Sequence, residues 1–102
     1  MKIVNSNEFE AVVSKGVVMV DFFATWCGPC KMLSPVLEDV ANEVAGKAEV
    51  VKVDIDQSSD LAAKFGIMAV PTMLIFKDGQ VVKQLQGFMP KPNLVNEINN
   101  VL

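Results

Sequence analysis

Two cysteines three residues apart, in a chain without histidine, are the residues with the clearest capacity for chemistry. Cys27 and Cys30 are the only cysteines among the 102 residues. On the first turn of a helix, residues at this spacing can meet the disulfide Cα separation of about 4.4–6.8 Å. A disulfide across two intervening residues opens and closes with little backbone movement, as a redox cycle requires. The pair therefore predicts reversible thiol–disulfide chemistry.

The same residue count excludes several other kinds of site. Two cysteines are too few for a disulfide scaffold or for a four-ligand zinc site within one chain. Without histidine, neither Ser-His-Asp nor Cys-His catalysis can operate. Lys31 stands where a haem attachment motif needs histidine. A structural disulfide, two inert core thiols, and a metal or iron–sulfur site shared between two chains stay open as alternatives.

The position of each cysteine predicts a different chemical role. Cys27 precedes a predicted helix, where unpaired backbone N–H groups and the helix dipole favour a thiolate. We expect Cys27 to be exposed there. Cys30 lies one turn further in, and burial would keep its thiol protonated until it is needed.

One carboxylate, Asp21, interrupts an otherwise apolar segment six residues before Cys27. Burial of an unpaired carboxylate is costly, so the pKa of Asp21 should rise toward that of a general acid or base. Lys52, in the next apolar strand, is a plausible counter-charge. The alternatives are a carboxylate exposed at a strand end and a solvated lysine at a sheet edge.

The elements that position these residues alternate between helices and strands. Asn5 and Glu8 form a capping-box pattern ahead of a helix that ends near Gly16. The apolar run Val17 to Phe23 predicts a strand buried on both faces. Asp78-Gly79 is a two-residue hairpin signal. The remaining predicted elements are a helix striped by Leu33 to Val44 and ending at Gly46, strands at 50–55, 72–76 and 81–85, a helix at 58–65, and a last helix with Pro92 first and a stripe from Leu94 to Leu102.

This order predicts an α/β fold with a mixed central sheet. The early β-α-β-α-β segment implies parallel strands joined by crossover helices, and the hairpin implies an antiparallel edge. A short first strand is expected around residues 2–4. Helices should cover both faces of the sheet.

Composition limits the class of protein. A chain of 102 residues predicts a single domain, 1–102, and a hydrophobic fraction of 51% predicts a densely buried interior. No apolar run approaches the about 18 residues of a membrane span, and no secretory signal opens the chain. We therefore expect a soluble, cytoplasmic protein without membrane contact. A net charge of −3, with no arginine, argues against nucleic-acid binding.

The segment Val20 to Lys31, containing Trp26-Cys27-Gly28-Pro29-Cys30, closely resembles the active-site segment of the thioredoxin family. The segments 52–56 and 70–72 and the residue Gly87 resemble that family in order and spacing. The resemblance spans nearly the whole chain. It implies the thioredoxin fold, a five-stranded mixed sheet with helices on both faces.

The resemblance also implies roles for individual residues. Cys27 would be the attacking thiol and Cys30 the resolving one. Asp21 would lie buried beneath Cys30, with Lys52 close to it. The resemblance implies a cis Val70-Pro71 peptide, which the sequence alone does not predict. An apolar contact surface for an extended target segment would comprise Trp26, Gly28, Pro29, Val70, Pro71 and Gly87.

The function implied is reduction of disulfides in other proteins. Gly28-Pro29 carries no charge and Asp21 opposes a second anion, so the pair should act as a reductant. No cofactor would bind to the chain; a flavin-containing thioredoxin reductase using NADPH would restore the dithiol. We expect a monomer whose partners are that reductase and disulfide-containing target proteins. An oxidase or isomerase of the same fold, and a binding or chaperone role for the apolar surface, are the competing hypotheses.

The sequence departs from the family pattern near this surface. Phe23 stands where many relatives carry a second tryptophan. Phe88 and Met89 make the rim beyond Gly87 bulkier, which would alter the choice of target.

Overall fold

Five strands and four helices follow the predicted order in the computed structural model, which describes residues 1–102. The strands are β1 (Lys2–Ile3), β2 (Val17–Phe23), β3 (Ala48–Asp54), β4 (Thr72–Lys77) and β5 (Gln80–Gln86). The helices are α1 (Phe9–Val13), α2 (Gly28–Val44), α3 (Ser59–Lys64) and α4 (Lys91–Asn99).

The strands form one mixed sheet in the order β1-β3-β2-β4-β5. β1, β3 and β2 are parallel, whereas β4 runs antiparallel to β2 and pairs with β5 in a hairpin. Both the mixed sheet and the antiparallel edge are confirmed. The hairpin turns at Asp78 and Gly79, which both have positive φ, as a two-residue turn of this kind requires.

Strand β2 lies at the centre of the sheet, and all seven of its residues are buried. This burial explains its continuous apolar sequence, because helices cover both of its faces. On one face, Val17 and Met19 pack in a core cluster with residues of α2 and α4, including Leu37 and Ile98. On the other face lies a second cluster, which draws on α1 and α3: Phe9, Val13, Val18, Val20, Phe22 and Leu61.

The alternation of side chains along β2 decides where its one charged residue faces. Successive residues of a strand point to opposite faces of the sheet. Asp21 therefore points to the same face as Met19, toward α2. By the same alternation on β3, Lys52 shares the face of Val50, and the two strands set Asp21 and Lys52 side by side in register.

The predicted start of α1 and the predicted end of α2 are both confirmed by local contacts and backbone geometry. The Asn5 amide donates to Glu8 Oε1 at 3.1 Å, and the Glu8 amide donates to Asn5 Oδ1 at 3.0 Å, which is a reciprocal capping box. Gly46 has a φ of 85° just after the end of α2, where a left-handed residue closes the helix.

Two expectations about the last helix need correction. Pro92 is the second residue of α4, and Leu102 lies beyond that helix with 48% of its surface exposed.

β5 is exposed along six of its seven residues, because it is an edge strand outside the cover of the helices. No helix combines the length and apolar character needed to cross a membrane.

Candidate active site

The cysteine pair lies where the central strand passes into the longest helix. β2 ends at Phe23, the Cys27 amide donates to the Ala24 carbonyl at 3.2 Å, and α2 begins at Gly28. Cys27 is thus the N-cap of α2, and Pro29 occupies the first turn, where its missing N–H costs nothing. The local sequence therefore fixes the pair at a helix N-terminus.

Cys27 and Cys30 form a disulfide in the structure, with their Cα atoms 5.3 Å apart. The Cys30 amide donates to Cys27 Sγ at 3.2 Å. This contact places an unpaired helix N–H against the sulfur of Cys27, where it would also stabilise a thiolate. The predicted proximity of the two sulfurs is confirmed.

The expectation of an exposed Cys27 is wrong for this disulfide form. Only 4% of the surface of Cys27 is exposed, the same fraction as for Cys30. The reason is packing, because both cysteines cluster with Phe23 and Ala24, and Val70 lies against them. A partner must therefore approach Cys27 through the residues that surround it.

Trp26, immediately before the pair, is 67% exposed, and its orientation is fixed by a hydrogen bond. Its Nε1 donates to Asp56 Oδ2 at 2.9 Å. Asp56 follows the end of β3, and the backbone amide of Asp56 donates in turn to Asp54 Oδ1. The position of Asp56 beside Trp26 was not predicted from the sequence, because only the tertiary structure brings residues 30 positions apart together.

The loop before β4 approaches the pair from the other side. The Val70-Pro71 peptide is cis, as the resemblance implies, and the Val70 carbonyl oxygen lies 3.6 Å from Cys27 Sγ. The Gly87 amide donates to the Pro71 carbonyl at 2.9 Å, which brings Gly87 to the same region. Pro71 itself is buried, whereas Val70 and Gly87 are half-buried.

An apolar groove of about 100 Å³ opens beside Trp26. Its most exposed residue is Met68, 91% of whose surface is accessible. The sequence signal for this groove is an apolar run, residues 67–70, which lies outside any strand directly before Pro71. The residues lining the groove are Trp26, Ile55, Ile67, Met68, Ala69 and Val70.

Asp21 is fully buried, and neither oxygen of its carboxylate has a hydrogen-bond partner. Burial raises the pKa of Asp21 from 3.8 to about 7, and the positive charge of Lys52 partly opposes that rise. A carboxylate with this pKa exchanges protons near neutral pH. The alternative of a strand-end acid exposed to water does not fit this burial.

Lys52 is half-buried at a second cavity, of about 260 Å³, whose wall includes Cys30. Its Nζ donates to Ser34 Oγ at 3.2 Å and lies 4.4 Å from the centroid of the Phe23 ring. The alternative of a fully solvated edge lysine does not fit these contacts. No sequence pattern marks Ser34, on α2, because its contact with Lys52 joins residues 18 positions apart.

The structure thus brings the predicted residues to one end of the sheet. Trp26, Gly28 and Pro29 are exposed around the cysteines, with Val70, Pro71 and Gly87 on adjoining loops. No group of three or more His, Cys, Asp or Glu side chains is close enough together to hold a metal ion.

Comparison with known proteins agrees with this site. Residues 1–100 match the family model for thioredoxin. A thioredoxin of Staphylococcus aureus (strain Mu50) is 48% identical over 99 residues, which cover 97% of this chain and 95% of that protein. A thioredoxin of Staphylococcus haemolyticus is 47% identical over 102 residues, which cover 100% of this chain and 97% of that protein. With a family match along nearly its whole length and a redox-type cysteine pair joined as a disulfide, the chain belongs to the thioredoxin family of protein-disulfide oxidoreductases.

Proposed function

We propose that the chain reduces disulfides in other proteins, with Cys27 as the attacking thiol and Cys30 as the resolving thiol. The observation that carries this assignment is the 3.2 Å contact between the Cys30 amide and Cys27 Sγ at the start of α2. That N–H and the helix dipole stabilise negative charge on Cys27 and not on Cys30. Cys27 also adjoins the exposed residues Trp26 and Gly28.

The exchange proceeds in two steps. The Cys27 thiolate attacks one sulfur of a target disulfide; a mixed disulfide forms and the second target sulfur leaves as a thiolate. Cys30 then loses its proton and attacks Cys27 Sγ, which releases the first target sulfur and closes the Cys27–Cys30 disulfide. Two electrons pass to the target, and this chain is oxidised.

Asp21 is the proposed acceptor of the Cys30 proton. It points toward α2, its oxygens have no other hydrogen-bond partner, and its pKa lies near 7. A base of this pKa accepts a proton at neutral pH without binding it permanently. Lys52 is the nearby cation that moderates this pKa.

The proposed target site is the surface around the disulfide. An extended target segment would lie along Val70, whose carbonyl is 3.6 Å from Cys27 Sγ, and would pair with its backbone by strand addition. The apolar groove next to Trp26 would receive an apolar side chain of the same segment. Gly28, Pro29, Pro71 and Gly87 complete this surface.

The proposed cycle depends on a second protein. A flavin-containing thioredoxin reductase using NADPH would restore the dithiol, and the chain itself would bind no cofactor. We propose that residues 1–102 act as one domain and as a monomer in the cytoplasm. The uncharged Gly28-Pro29 and the opposing charge of Asp21 favour action as a reductant.

An NADPH-coupled assay tests this function. Wild-type protein, thioredoxin reductase and insulin as the disulfide target should consume NADPH continuously. Cys30→Ser should reduce this rate to the level without the chain, because it cannot close its own disulfide. Continuous turnover by Cys30→Ser would reject the dithiol mechanism, and no turnover by wild type in the presence of an active reductase would reject the proposed cycle.

A further inference from the structure

Ser34, on the face of α2 toward the sheet, bonds to the lysine beside the buried carboxylate. Its Oγ accepts a hydrogen bond of 3.2 Å from Lys52 Nζ. The same ammonium lies 4.4 Å from the centroid of the Phe23 ring, within the range of a cation–π contact. Lys52 forms no ion pair, so these two contacts are what hold its charged end.

The bonded ammonium is close to the redox pair and to Asp21. Lys52 and Asp21 are register partners on adjacent parallel strands. Ser34, Lys52 and Cys30 line one cavity of about 260 Å³. The serine hydroxyl therefore bonds the cation at the cavity that Cys30 also lines.

Few other charged groups share this environment. Lys31 lines the same cavity, and the register partner of Asp21 on β4 is the uncharged Met73. Three ion pairs involve charged groups of neighbouring segments: the Met1 amino group with Glu38, Lys83 with Glu97, and Lys91 with Glu43. Asp39 on α2 and Glu49 on β3 form no ion pair and are exposed to solvent.

We propose that Ser34 is a positioning residue, which holds the Lys52 ammonium in the cavity so that its charge acts on the Asp21 carboxylate. This inference rests on the proposed role of Asp21 as the proton acceptor. Lysine has a flexible stem and a strongly hydrated charge, so it needs an acceptor to keep it in a partly buried position. Without the hydroxyl, the ammonium donates its hydrogen bonds to water at the cavity mouth, where solvent screens its charge.

The consequence concerns the protonation of Asp21. Burial favours the neutral acid, and the charge of Lys52 favours the carboxylate. Loss of the serine hydroxyl weakens only the second effect. The midpoint of the Asp21 titration should therefore move to higher pH.

A titration of the Asp21 side-chain carboxyl carbon by ¹³C NMR, on the folded disulfide form, tests this proposal. Lys52→Met, which keeps the stem and removes the charge, should raise the midpoint by about one pH unit. Ser34→Ala should raise it by about half as much, because the cation is displaced but not deleted. In the Lys52→Met background, Ser34→Ala should cause no further shift.

A matched pair separates the hydroxyl from the shape of the side chain. Ser34→Thr keeps the hydroxyl and should leave the Asp21 midpoint at its wild-type value. Ser34→Val has nearly the same shape as Ser34→Thr but lacks the hydroxyl, so it should shift the midpoint as Ser34→Ala does. Ser14→Ala, which removes a hydroxyl that bonds only to the Ala11 carbonyl, is the control and should leave the midpoint unchanged.

Three results would overturn the proposal: an unchanged midpoint in Ser34→Ala and Ser34→Val, a midpoint moved to lower pH, or an equal shift in the absence of the Lys52 charge. Since the NMR midpoint does not depend on turnover, it is independent of the proposed function. That function is tested by Asp21→Asn, whose turnover and pH profile would match wild type if Asp21 were not the proton acceptor.

Discussion

Asp21 and Lys52 lie side by side on adjacent parallel strands, yet they form no ion pair. The ammonium bonds to Ser34, and both carboxylate oxygens stay without a hydrogen-bond partner. The charge of Lys52 therefore lowers the pKa of Asp21 only in part, and burial still raises that pKa to about 7. This arrangement keeps the carboxylate ready to accept a proton near neutral pH.

The first prediction concerns the pH dependence of the resolving step. Asp21 ionises as the pH rises through about 7, so release of the target from the mixed disulfide should accelerate over that range. Asp21→Asn should slow this release by about 10²-fold at neutral pH, as expected for loss of a general base. Quenched single-turnover reactions with a preformed mixed disulfide measure this rate. An unaltered rate in the variant would contradict the role of Asp21.

The second prediction concerns stability, which should fall with rising pH, whereas the rate of the resolving step should increase. Asp21 titrates near 3.8 in the unfolded chain and near 7 in the folded one, so the folded state binds the extra proton between these values. The free energy of unfolding should therefore fall as the pH rises from 4 to 7, and the contribution of Asp21 should be constant above about pH 8.

Denaturant unfolding of wild type and Asp21→Asn at pH 4 and pH 8 checks this relation. The variant should gain stability relative to wild type between the two pH values, by an amount on the order of 4 kcal/mol. If the difference in unfolding free energy between wild type and Asp21→Asn is the same at both pH values, burial does not raise the pKa of Asp21.

The third prediction separates the roles of the two cysteines. Cys30→Ser should accumulate a mixed disulfide with a protein target, because Cys27 still attacks and nothing resolves the product. Cys27→Ser should accumulate none. Non-reducing electrophoresis with a disulfide-containing target distinguishes the two variants, and trapping by Cys27→Ser alone would reverse the assignment.

The fourth prediction concerns the direction of electron flow. Pro29→His places an ionisable side chain in the first turn of α2, and an imidazolium there would stabilise the Cys27 thiolate and hence the reduced form. The potential should become more positive, by about 30 mV for each 1.4 kcal/mol of stabilisation. Equilibration with glutathione measures the shift, with Pro29→Ala as the uncharged control. An equal change in both variants would show that charge is not the cause.

The fifth prediction concerns the groove beside Trp26. Met68→Ala removes its most exposed apolar side chain, and should raise KM for a protein target about three- to fivefold, as expected from a loss of roughly 1 kcal/mol of apolar contact. Reduction of a small aromatic disulfide, which does not extend into the groove, should be unchanged. Val82→Ala, an exposed apolar position on β5, is the control. A KM unaffected by Met68→Ala would remove the groove from the target site.

Much of the fold follows from local signals that the sequence carries directly. The continuous apolar run of β2, the Asn5–Glu8 capping box and the Asp78-Gly79 turn each reflect interactions among residues close in the chain. Such signals predict the order of the elements and the mixed sheet. The cysteine spacing belongs to the same category, because the first turn of a helix brings residues three positions apart together.

The surroundings of the site required the tertiary structure. The predicted exposure of Cys27 is wrong, because part of its cover comes from Val70, 43 residues away in the chain. The contacts of Trp26 with Asp56 and of Lys52 with Ser34 likewise join separate elements. No local pattern encodes them.

Residue spacing and hydrophobic patterning are enough to predict a pair of thiols at a helix start and a carboxylate, Asp21, in a buried strand. The groups around these residues depend on the tertiary structure. It buries Asp21 completely, sets Lys52 beside it and turns the lysine toward Ser34. The physical reason is that residue spacing governs local geometry, whereas the desolvation and charge that set the pKa of Asp21 come from groups that only folding brings together.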